Sequence, residues 1–383
     1  MSYSTKIYIS KSAIRNNITF LQKHFKNKVR ISSVVKANAY GHGIEQFVPE
    51  VEKCGVNHFA TFNFAEAKRV RKIVQPETDI MIMGWVGPDD LKEAIEDGYE
   101  FFVFELSRLT NALKFAKELN TKAKIHIEVE TGLNRTGFSH QEFIQAIELI
   151  KANRDYFQVK GLCSHLAGPE SIANHVRVKS QIKKLKNFKA EIICHGIQPE
   201  YCHIACSAGA ISYPEARFDM VRVGIMQYGF WSSKETFLRF MSTRSKKHDP
   251  LKRVICWKSE IMTIKEVKIG DFISYGTSYV AFEPKTIAII PIGYSNGYSR
   301  SLSNHGRVLI NGVPCSIIGI VNMNMIIADV TQLFSANVGD EVVIVGDQKN
   351  HTITVDSFSE ISQQVNYEIL SRIPREIPRI LVD

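Results

Sequence analysis

The sequence predicts an α/β fold in which an N-terminal (β/α)8 TIM barrel is followed by a mostly β C-terminal domain. Three observations support this prediction. Short β-type runs alternate with helix-type stretches over about the first 240 residues, reactive side chains stand where those runs end, and closely spaced β-type runs follow. The 383 residues are enough for two domains, which we place at residues 1–240 and 241–383.

Eight apolar runs are the candidates for barrel strands, and amphipathic, capped or charge-rich segments separate most of them. In chain order the runs cover residues 30–36, 58–63, 79–85, 101–106, 124–131, 159–165, 201–207 and 220–228. Eight such units in succession favour a closed barrel. An open parallel sheet of five or six strands would show the same alternation, so it stays as the alternative at this point.

A change of character near residue 240 predicts the second domain. Residues 239–250 are polar and basic, which is typical of a linker. β-type runs then follow at residues 254–264, 272–275, 286–292, 307–310, 313–320, 325–330 and 341–345. Asn311-Gly312 between two of them is a strong signal for a two-residue hairpin turn.

Composition excludes several classes of protein. Hydrophobic residues make up 44% of the chain and charged residues 23%, as in ordinary globular proteins. The net charge is +9, but the basic residues are scattered and accompany no nucleic-acid-binding motif, so we expect no nucleic-acid partner. No apolar run reaches membrane-spanning length, and residues 1–20 lack the apolar core of a signal peptide. The seven cysteines have neither disulfide-framework nor zinc-site spacing, so we expect a cytoplasmic protein without a metal site.

Lys36 is the first candidate catalytic residue. The apolar run that contains Val34 and Val35 delivers this lysine to the point where a strand breaks into a loop. Burial there would lower its pKa and make the neutral, nucleophilic amine available for a Schiff base with an aldehyde cofactor. The alternative is a strand-end lysine whose ammonium group reaches solvent.

The segment around Lys36 resembles the pyridoxal 5'-phosphate attachment segment of the alanine racemase family, whose members have fold-type III. Residues 35–43 read VKANAYGHG, and further motifs that resemble the family continue in order to the region of Pro374. The resemblance implies an amino-acid racemase, an isomerase that interconverts L- and D-alanine with this cofactor and supplies D-alanine for peptidoglycan.

The resemblance also implies a two-base mechanism. Lys36 matches the lysine that binds the cofactor and acts as one base, and Tyr275, within ISYGTSY at residues 273–279, matches the second base. In the family this tyrosine enters from the partner subunit, so the resemblance implies a homodimer with shared active sites. Taken alone, Tyr275 would be interpreted as a strand aromatic packed beside a turn.

Further residues match cofactor and substrate contacts of the family. Arg222, within MVRVGI at residues 220–225, matches the arginine that faces the pyridine nitrogen, and a guanidinium cannot accept a proton from it. A barrel ion pair is the alternative for Arg222, and a structural core histidine is the alternative for His165. The matched cofactor-binding set is Lys36, Tyr40, His165, Ser207, Arg222, Gly224, Ile225 and Tyr367, and the matched substrate-binding residues are Arg135 and Met323.

Three positions depart from the family pattern. Glu128 stands where many relatives have a lysine that is often carbamylated, and we expect its carboxylate to pair directly with Arg135. Asn324 replaces an aspartate that commonly follows Met323, and Cys206 replaces a common asparagine. These departures leave the preferred amino acid open rather than the type of reaction.

The same sequence features are compared with three other functions. A broad-specificity or serine racemase of the same family is the nearest alternative. A pyridoxal-phosphate decarboxylase or D-amino-acid aldolase is less favoured, because Arg222 stands where barrel decarboxylases have an acidic residue and because no metal-ligand cluster is evident. A single-domain cofactor-carrying protein would lack the second domain and Tyr275.

Overall fold

The computed structural model describes residues 4–26, 28–245, 248–362 and 366–383. These residues form two compact units. The barrel unit comprises residues 13–36 and 48–252, and the β-rich unit comprises residues 4–12, 37–47 and 253–383. The division differs from the predicted one, since residues 4–12 and 37–47 belong to the β-rich unit and residues 241–252 to the barrel unit.

The barrel unit contains eight parallel strands, and every strand is numbered by its place in the whole chain. They are β2 (Arg30–Val34), β3 (His58–Thr61), β4 (Asp79–Ile82), β5 (Glu100–Val103), β6 (Ala123–Glu128), β7 (Phe157–Cys163), β8 (Tyr201–His203) and β9 (Met220–Val223). Their order in the sheet is β8-β7-β6-β5-β4-β3-β2-β9. All eight predicted strands are confirmed. Backbone hydrogen bonds from Asp219 to Cys202 (3.1 Å) and from Arg222 to Ala205 (3.0 Å) link the two ends of the sheet, so the barrel is nearly closed and the open-sheet alternative is excluded.

Helices follow the strands because apolar residues recur on one side of each intervening segment and caps define where several of them begin. Asn63 accepts a hydrogen bond from the Glu66 N–H, and Ser139 with Glu142 forms a capping box. The helices are α1 (Lys11–His24), α2 (Ile44–Glu52), α3 (Phe64–Arg71), α4 (Pro88–Glu96), α5 (Leu106–Glu118), α6 (His140–Ala152), α7 (His175–Cys194), α8 (Ser207–Ser212) and α9 (Lys234–Ser242).

The β-rich unit contains a seven-stranded and a three-stranded sheet. Its strands are β1 (Lys6–Ser10), β10 (Ile255–Glu260), β11 (Thr263–Val267), β12 (Lys285–Ile290), β13 (Arg307–Ile310), β14 (Val313–Ser316), β15 (Ile326–Asp329), β16 (Glu341–Gln348), β17 (His351–Ile353) and β18 (Arg379–Val382), with helices α10 (Val355–Ser362) and α11 (Asn366–Ser371). The larger sheet runs β14-β13-β16-β10-β1-β18 with β17 beside β16, and the smaller runs β11-β12-β15. The β13–β14 hairpin turns at Asn311-Gly312, as predicted.

The first strand explains why the N-terminal residues belong to the β-rich unit. β1 pairs antiparallel with β10 and parallel with β18, so it lies inside the larger sheet. Ile7 and Ile9 point to the same side of β1 and are fully buried, as alternate residues of a half-buried strand should be.

The chain after Lys36 takes an unusual backbone conformation. Ala37, Asn38, Ala39 and Tyr40 all have φ between 51° and 55°, and Gly41 has φ 80°, so the predicted loop is a left-handed turn. The Gly41 N–H donates to the Ala37 carbonyl at 3.0 Å. Four successive non-glycine residues rarely adopt this conformation, because each costs about 1–2 kcal/mol.

All seven cysteines are free thiols, as expected. Among the described residues, no helix is both long enough and apolar enough to cross a membrane.

Candidate active site

Lys36 stands two residues beyond the end of β2, at the carboxyl end of the barrel strands. This edge is where barrel enzymes carry their chemistry. Burial lowers the pKa of the Lys36 amine, and the nearby positive charges of Arg135 and Arg222 lower it further. The lowered pKa favours the neutral amine, which a Schiff base with an aldehyde requires.

Arg222 and His165 form the best-defined contact of this site. The Arg222 Nη2 donates to the Ser164 carbonyl at 2.7 Å and to His165 Nδ1 at 3.2 Å. Burial and the charges of Arg222, Arg135 and Lys36 lower the pKa of His165 to about 3. His165 is therefore a neutral ring that accepts a hydrogen bond at Nδ1, because a guanidinium is a donor only.

Ser207 and Gly224 are joined across neighbouring strand ends. Ser207 opens helix α8 after β8, and its Oγ accepts a hydrogen bond from the Gly224 N–H at 2.9 Å. Gly224 and Ile225 follow β9 directly. The Ser207 hydroxyl keeps its own hydrogen for donation to an acceptor.

Glu128 and Arg135 do not form the expected ion pair in the part of the chain that the structure describes. The Glu128 carboxylate, at the end of β6, takes a hydrogen bond from Thr136, and it is nearly fully buried. Burial raises the pKa of Glu128, while Thr136 and the charges of Arg222 and Arg135 act in the opposite direction. Buried Arg108 also faces the negative charge of Glu128. The expectation of a direct Glu128–Arg135 pair is therefore wrong, because Thr136 is the hydrogen-bond partner of the carboxylate and Arg135 acts on it only through its charge.

Tyr275 and Met323 lie in the β-rich unit, on two turns that are hydrogen-bonded to each other. The Ser274 Oγ donates to Asn322 Oδ1 at 3.0 Å and to the Ile320 carbonyl at 2.7 Å. Ser274 and Gly276 both have positive φ, and this turn leaves Tyr275 71% exposed and available to a ligand or a second chain. Met323 is 56% exposed. The structure thus brings the two turns together within this unit.

The Asn322–Met325 turn is fixed by further contacts. The Met323 carbonyl accepts from the Ser295 N–H at 2.9 Å and from its hydroxyl at 2.8 Å. The Asn324 amide donates to the Ser295 Oγ at 2.8 Å. Asn324 is therefore a neutral residue, hydrogen-bonded to Ser295, at the position where the family pattern has an aspartate.

Tyr40 and Tyr367 also lie in the β-rich unit and contact each other. Their ring centroids are 6.4 Å apart and the rings are nearly perpendicular, an edge-to-face arrangement. Tyr40 is the last non-glycine residue of the left-handed turn, and Tyr367 is in helix α11.

Three buried side chains around this site were not among the predicted residues. His203, in β8, accepts a hydrogen bond at Nδ1 from the Arg222 Nη1. Gln227 and Tyr228 both donate to the Val34 carbonyl at 2.9 Å and so fix the strand end that carries Lys36. The available signal was the presence of polar residues within otherwise apolar strand segments, which indicates a hydrogen-bonded role.

Pyridoxal phosphate fits the donor set of the barrel unit. Its aldehyde requires a neutral amine, which Lys36 supplies, and its pyridine nitrogen can accept from the donor-only guanidinium of Arg222. Its phosphate requires hydroxyl and N–H donors, which the joined Ser207 and Gly224 segments carry.

Comparison with protein families gives matches to both parts of the chain. The sequence model of the family described as "Alanine racemase, N-terminal domain" matches residues 9–231, and that of "Alanine racemase, C-terminal domain" matches residues 254–381. An alanine racemase of Leptospira interrogans is 32% identical over 386 aligned residues, covering 100% of this chain and 97% of that protein. Alanine racemase 1 of Caldanaerobacter subterraneus is 31% identical and covers 98% of this chain and 94% of its own length.

Solved structures with the same architecture have similar names. The alanine racemase from D-cycloserine-producing Streptomyces lavendulae superposes with a TM-score of 0.91 at 27% identity, covering 100% of this chain and 98% of that one. The alanine racemase from Bacillus anthracis with bound L-Ala-P has a TM-score of 0.91 at 25% identity, with coverage of 100% and 96%. That from Bartonella henselae, with covalently bound pyridoxal phosphate, has a TM-score of 0.86 at 25% identity and covers both chains fully.

Proposed function

Because the chain belongs to the alanine racemase family, we propose that it interconverts L- and D-alanine with pyridoxal 5'-phosphate as its cofactor. The observation that carries the proposal is the grouping of Lys36, His165 and Arg222 at the carboxyl ends of the barrel strands, with a lowered pKa for the Lys36 amine. We further propose that the enzyme acts in the cytoplasm and that its D-alanine is used for peptidoglycan.

Racemisation needs two acid/base groups on opposite faces of the substrate, because the α-proton must leave one face and return to the other. When bound, the cofactor supplies the electron sink that makes the α-proton acidic. Lys36 is one base: its neutral Nζ accepts the proton on one face. Tyr275 is the second: its Oη holds or receives the proton on the other.

Arg222 governs what happens after the proton is removed. A guanidinium offers N–H groups and cannot give up a proton under ordinary conditions, so Arg222 would donate a hydrogen bond to the cofactor's pyridine nitrogen without protonating it. By leaving that nitrogen unprotonated, Arg222 would favour return of the α-proton over loss of the carboxylate. His165, which accepts from the Arg222 Nη2 at 3.2 Å, supports the guanidinium from one side.

The position of Tyr275 is the basis for proposing a homodimer. The tyrosine is 71% exposed on a turn of the β-rich unit, which suits a side chain that acts in the site of a second subunit. The proposed substrate contacts are Arg135 for orientation and Met323 through its turn. Tyr40, Ser207, Gly224, Ile225 and Tyr367 are proposed to bind the phosphate.

The proposal is tested by chiral analysis of the products from L-alanine, L-serine and other L-amino acids, with α-hydrogen exchange measured in D2O. Lys36→Ala and Tyr275→Phe should each lower racemisation by about a hundredfold or more, since each removes a positioned proton-transfer group. Tyr279→Phe, a matched change four residues away, should leave the rate unchanged. Tyr275→Phe should also affect exchange from the two enantiomers unequally.

Other outcomes would contradict the proposal. Equal loss of exchange from L- and D-alanine in Tyr275→Phe would contradict the two-base assignment. Faster racemisation of serine than of alanine would favour the serine racemase alternative, which the neutral Asn324 makes worth including. Carbon dioxide or an aldehyde as the main product would indicate a decarboxylase or an aldolase.

A further inference from the structure

A continuous series of buried hydrogen bonds begins at Arg222 and joins side chains of four strands of the barrel, β9, β8, β6 and β5. The Arg222 Nη1 contacts His203 Nδ1, and His203 Nε2 lies 2.9 Å from His126 Nδ1. His126 Nε2 lies 2.8 Å from Glu100 Oε2. None of these side chains is more than 4% exposed. We call Arg222, His203, His126 and Glu100 the histidine chain.

The far end of the histidine chain is also hydrogen-bonded. His58 Nε2 lies 3.1 Å from Glu100 Oε2, and Ser32 Oγ lies 2.9 Å from His58 Nδ1. The Lys160 ammonium group is 3.3 Å from Glu100 Oε1 and 2.7 Å from Glu200. Hydrogen bonds from His126 and His58 hold the pKa of Glu100 well below its usual value, although burial alone would raise it. Glu100 is therefore a carboxylate that accepts hydrogen bonds and donates none.

The two ends of the histidine chain, Arg222 and Glu100, permit only one arrangement of its protons. Arg222 can only donate, so His203 must accept at Nδ1 and carry its hydrogen on Nε2. That hydrogen is donated to His126 Nδ1, so His126 carries its hydrogen on Nε2 and donates it to Glu100. A second proton on either ring would place two donors against each other. Burial also lowers the pKa of both rings, in agreement with their neutral form.

Gly161 makes this arrangement sterically possible. Gly161 lies in β7, next to His126 of β6 and Tyr201 of β8. A Cβ atom at position 161 would lie 2.1 Å from His126 Nδ1 and 3.0 Å from His203 Nε2, the two atoms of the histidine–histidine hydrogen bond. Any other residue would therefore separate the rings.

We propose that Glu100 is a positioning residue that acts through His126 and His203 to hold the Arg222 guanidinium in one orientation, and that Gly161 leaves the space this chain requires. The inference rests on the proposed function, because the orientation of Arg222 affects catalysis only if Arg222 faces the pyridine nitrogen of the cofactor, as proposed. If the hydrogen bonds of the histidine chain were broken, His203 could carry its hydrogen on Nδ1, facing Arg222. The guanidinium would then lose an acceptor and turn.

A metal ion is the competing interpretation of part of this cluster. The ligand atoms of His58, Glu100 and His126 lie within 4.8 Å of one another, close enough to surround a cation. Two features favour hydrogen bonds instead. Glu100 Oε2 is within 3.1 Å of both ring nitrogens, and the Lys160 ammonium group would repel a cation.

The experiment measures ring nitrogen shifts in protein labelled with 15N-histidine, recorded before and after addition of pyridoxal phosphate. His126 and His203, assigned with His126→Asn and His203→Asn, should both be neutral with hydrogen on Nε2. Gly161→Ala and Glu100→Leu should convert the His203 signal into a mixture of the two neutral forms. Glu100→Gln should retain the single form of His203 with hydrogen on Nε2, because its amide oxygen still accepts from His126.

Kinetics provide the second readout. Gly161→Ala and Glu100→Leu should lower kcat about tenfold, within the range for loss of orientation, with KM changed less than twofold. Glu100→Gln should retain most of kcat. Gly84→Ala is the matched control: its added Cβ would lie 2.3 Å from the Phe62 carbonyl, so it crowds the barrel unit without touching the histidine chain. It should lower stability and leave the histidine signals unchanged.

Any of three results would overturn the inference. The first is hydrogen on Nδ1 of His203 in the unaltered protein, and the second is an equimolar metal ion bound by His58, Glu100 and His126. The third is an unchanged kcat in both Gly161→Ala and Glu100→Leu when the unaltered enzyme is active. If Glu100→Leu does not fold, Gly161→Ala tests the same link with every polar group retained. If His203 and His126 both carry hydrogen on Nε2 but the protein racemises no amino acid, the proton arrangement is supported and the proposed function is contradicted.

Discussion

Replacing Gly41 by alanine tests how the left-handed turn after Lys36 is held in place. Gly41 has φ 80°, and a Cβ atom there would lie 2.0 Å from the Leu370 carbonyl oxygen and 2.9 Å from its carbon. Both residues belong to the β-rich unit. The Gly41 carbonyl also accepts from the Arg379 Nη2 at 3.0 Å, so the turn cannot move away from Leu370 without losing this contact.

The expected loss of stability has two parts. The left-handed conformation costs a non-glycine residue about 1–2 kcal/mol. The overlap with Leu370 adds about 1–3 kcal/mol, the range for overpacking. Gly41→Ala should therefore lower the free energy of unfolding by about 2–5 kcal/mol. Gly270 provides a matched control in the same unit, since it has φ 88° and its added Cβ would meet nothing within 4 Å. Gly270→Ala should cost only the conformational part, about 1–2 kcal/mol.

Urea unfolding followed by the fluorescence of Trp257 measures this difference. Trp257 is buried in β10 of the β-rich unit, and replacement of Trp85 and Trp231 by phenylalanine in every variant leaves it as the reporter. With equal slopes, the midpoint shift gives the change in stability. Equal destabilisation by Gly41→Ala and Gly270→Ala would refute the steric argument.

Three further predictions concern protonation, cofactor binding and the departure at Glu128. His42 is fully buried and its pKa is lowered to about 3, so between pH 6.5 and pH 3 only the unfolded chain binds a proton there. The free energy of unfolding should therefore fall by about 2 kcal/mol from pH 7 to pH 5. Urea titrations at these two pH values should show that His42→Gln removes this contribution to the pH dependence. Ser207→Ala should weaken pyridoxal phosphate binding about tenfold in absorbance titrations, through loss of a hydroxyl joined to Gly224, whereas Ser212→Ala in the same helix should not. Activity should be the same with and without bicarbonate, because Glu128 already carries a carboxylate where a lysine would need carbamylation; a strong bicarbonate requirement would count against this view.

Local patterns were sufficient to predict the barrel and several site residues. The eight strands were recognised because each is a short apolar run, and the side chain that ends such a run must lie at the carboxyl edge of a parallel sheet. Lys36 and His165 were placed near each other by this rule and by the resemblance. Arg222 was predicted as a cofactor contact from the resemblance of residues 220–225 to the family segment.

Other features depend on residues far apart in the chain. The pairing of β1 with β10 and β18 joins segments about 250 and 370 residues apart, so no local pattern marked residues 6–10 as part of the second unit. The hydrogen bond from Thr136 and the charges of Arg222 and Arg135 likewise decided the surroundings of Glu128.

The sequence by itself thus determined the order of the elements, the reactive amine and the family, because these follow from periodicity and from contiguous motifs. Only the tertiary structure decided the left-handed turn and the histidine chain. Glycine positions show the reason: Gly41 and Gly161 are required by what lies opposite them, the Leu370 carbonyl and the His126 ring. Such requirements arise from steric exclusion and hydrogen-bond direction between distant segments, which exist only once the chain has folded.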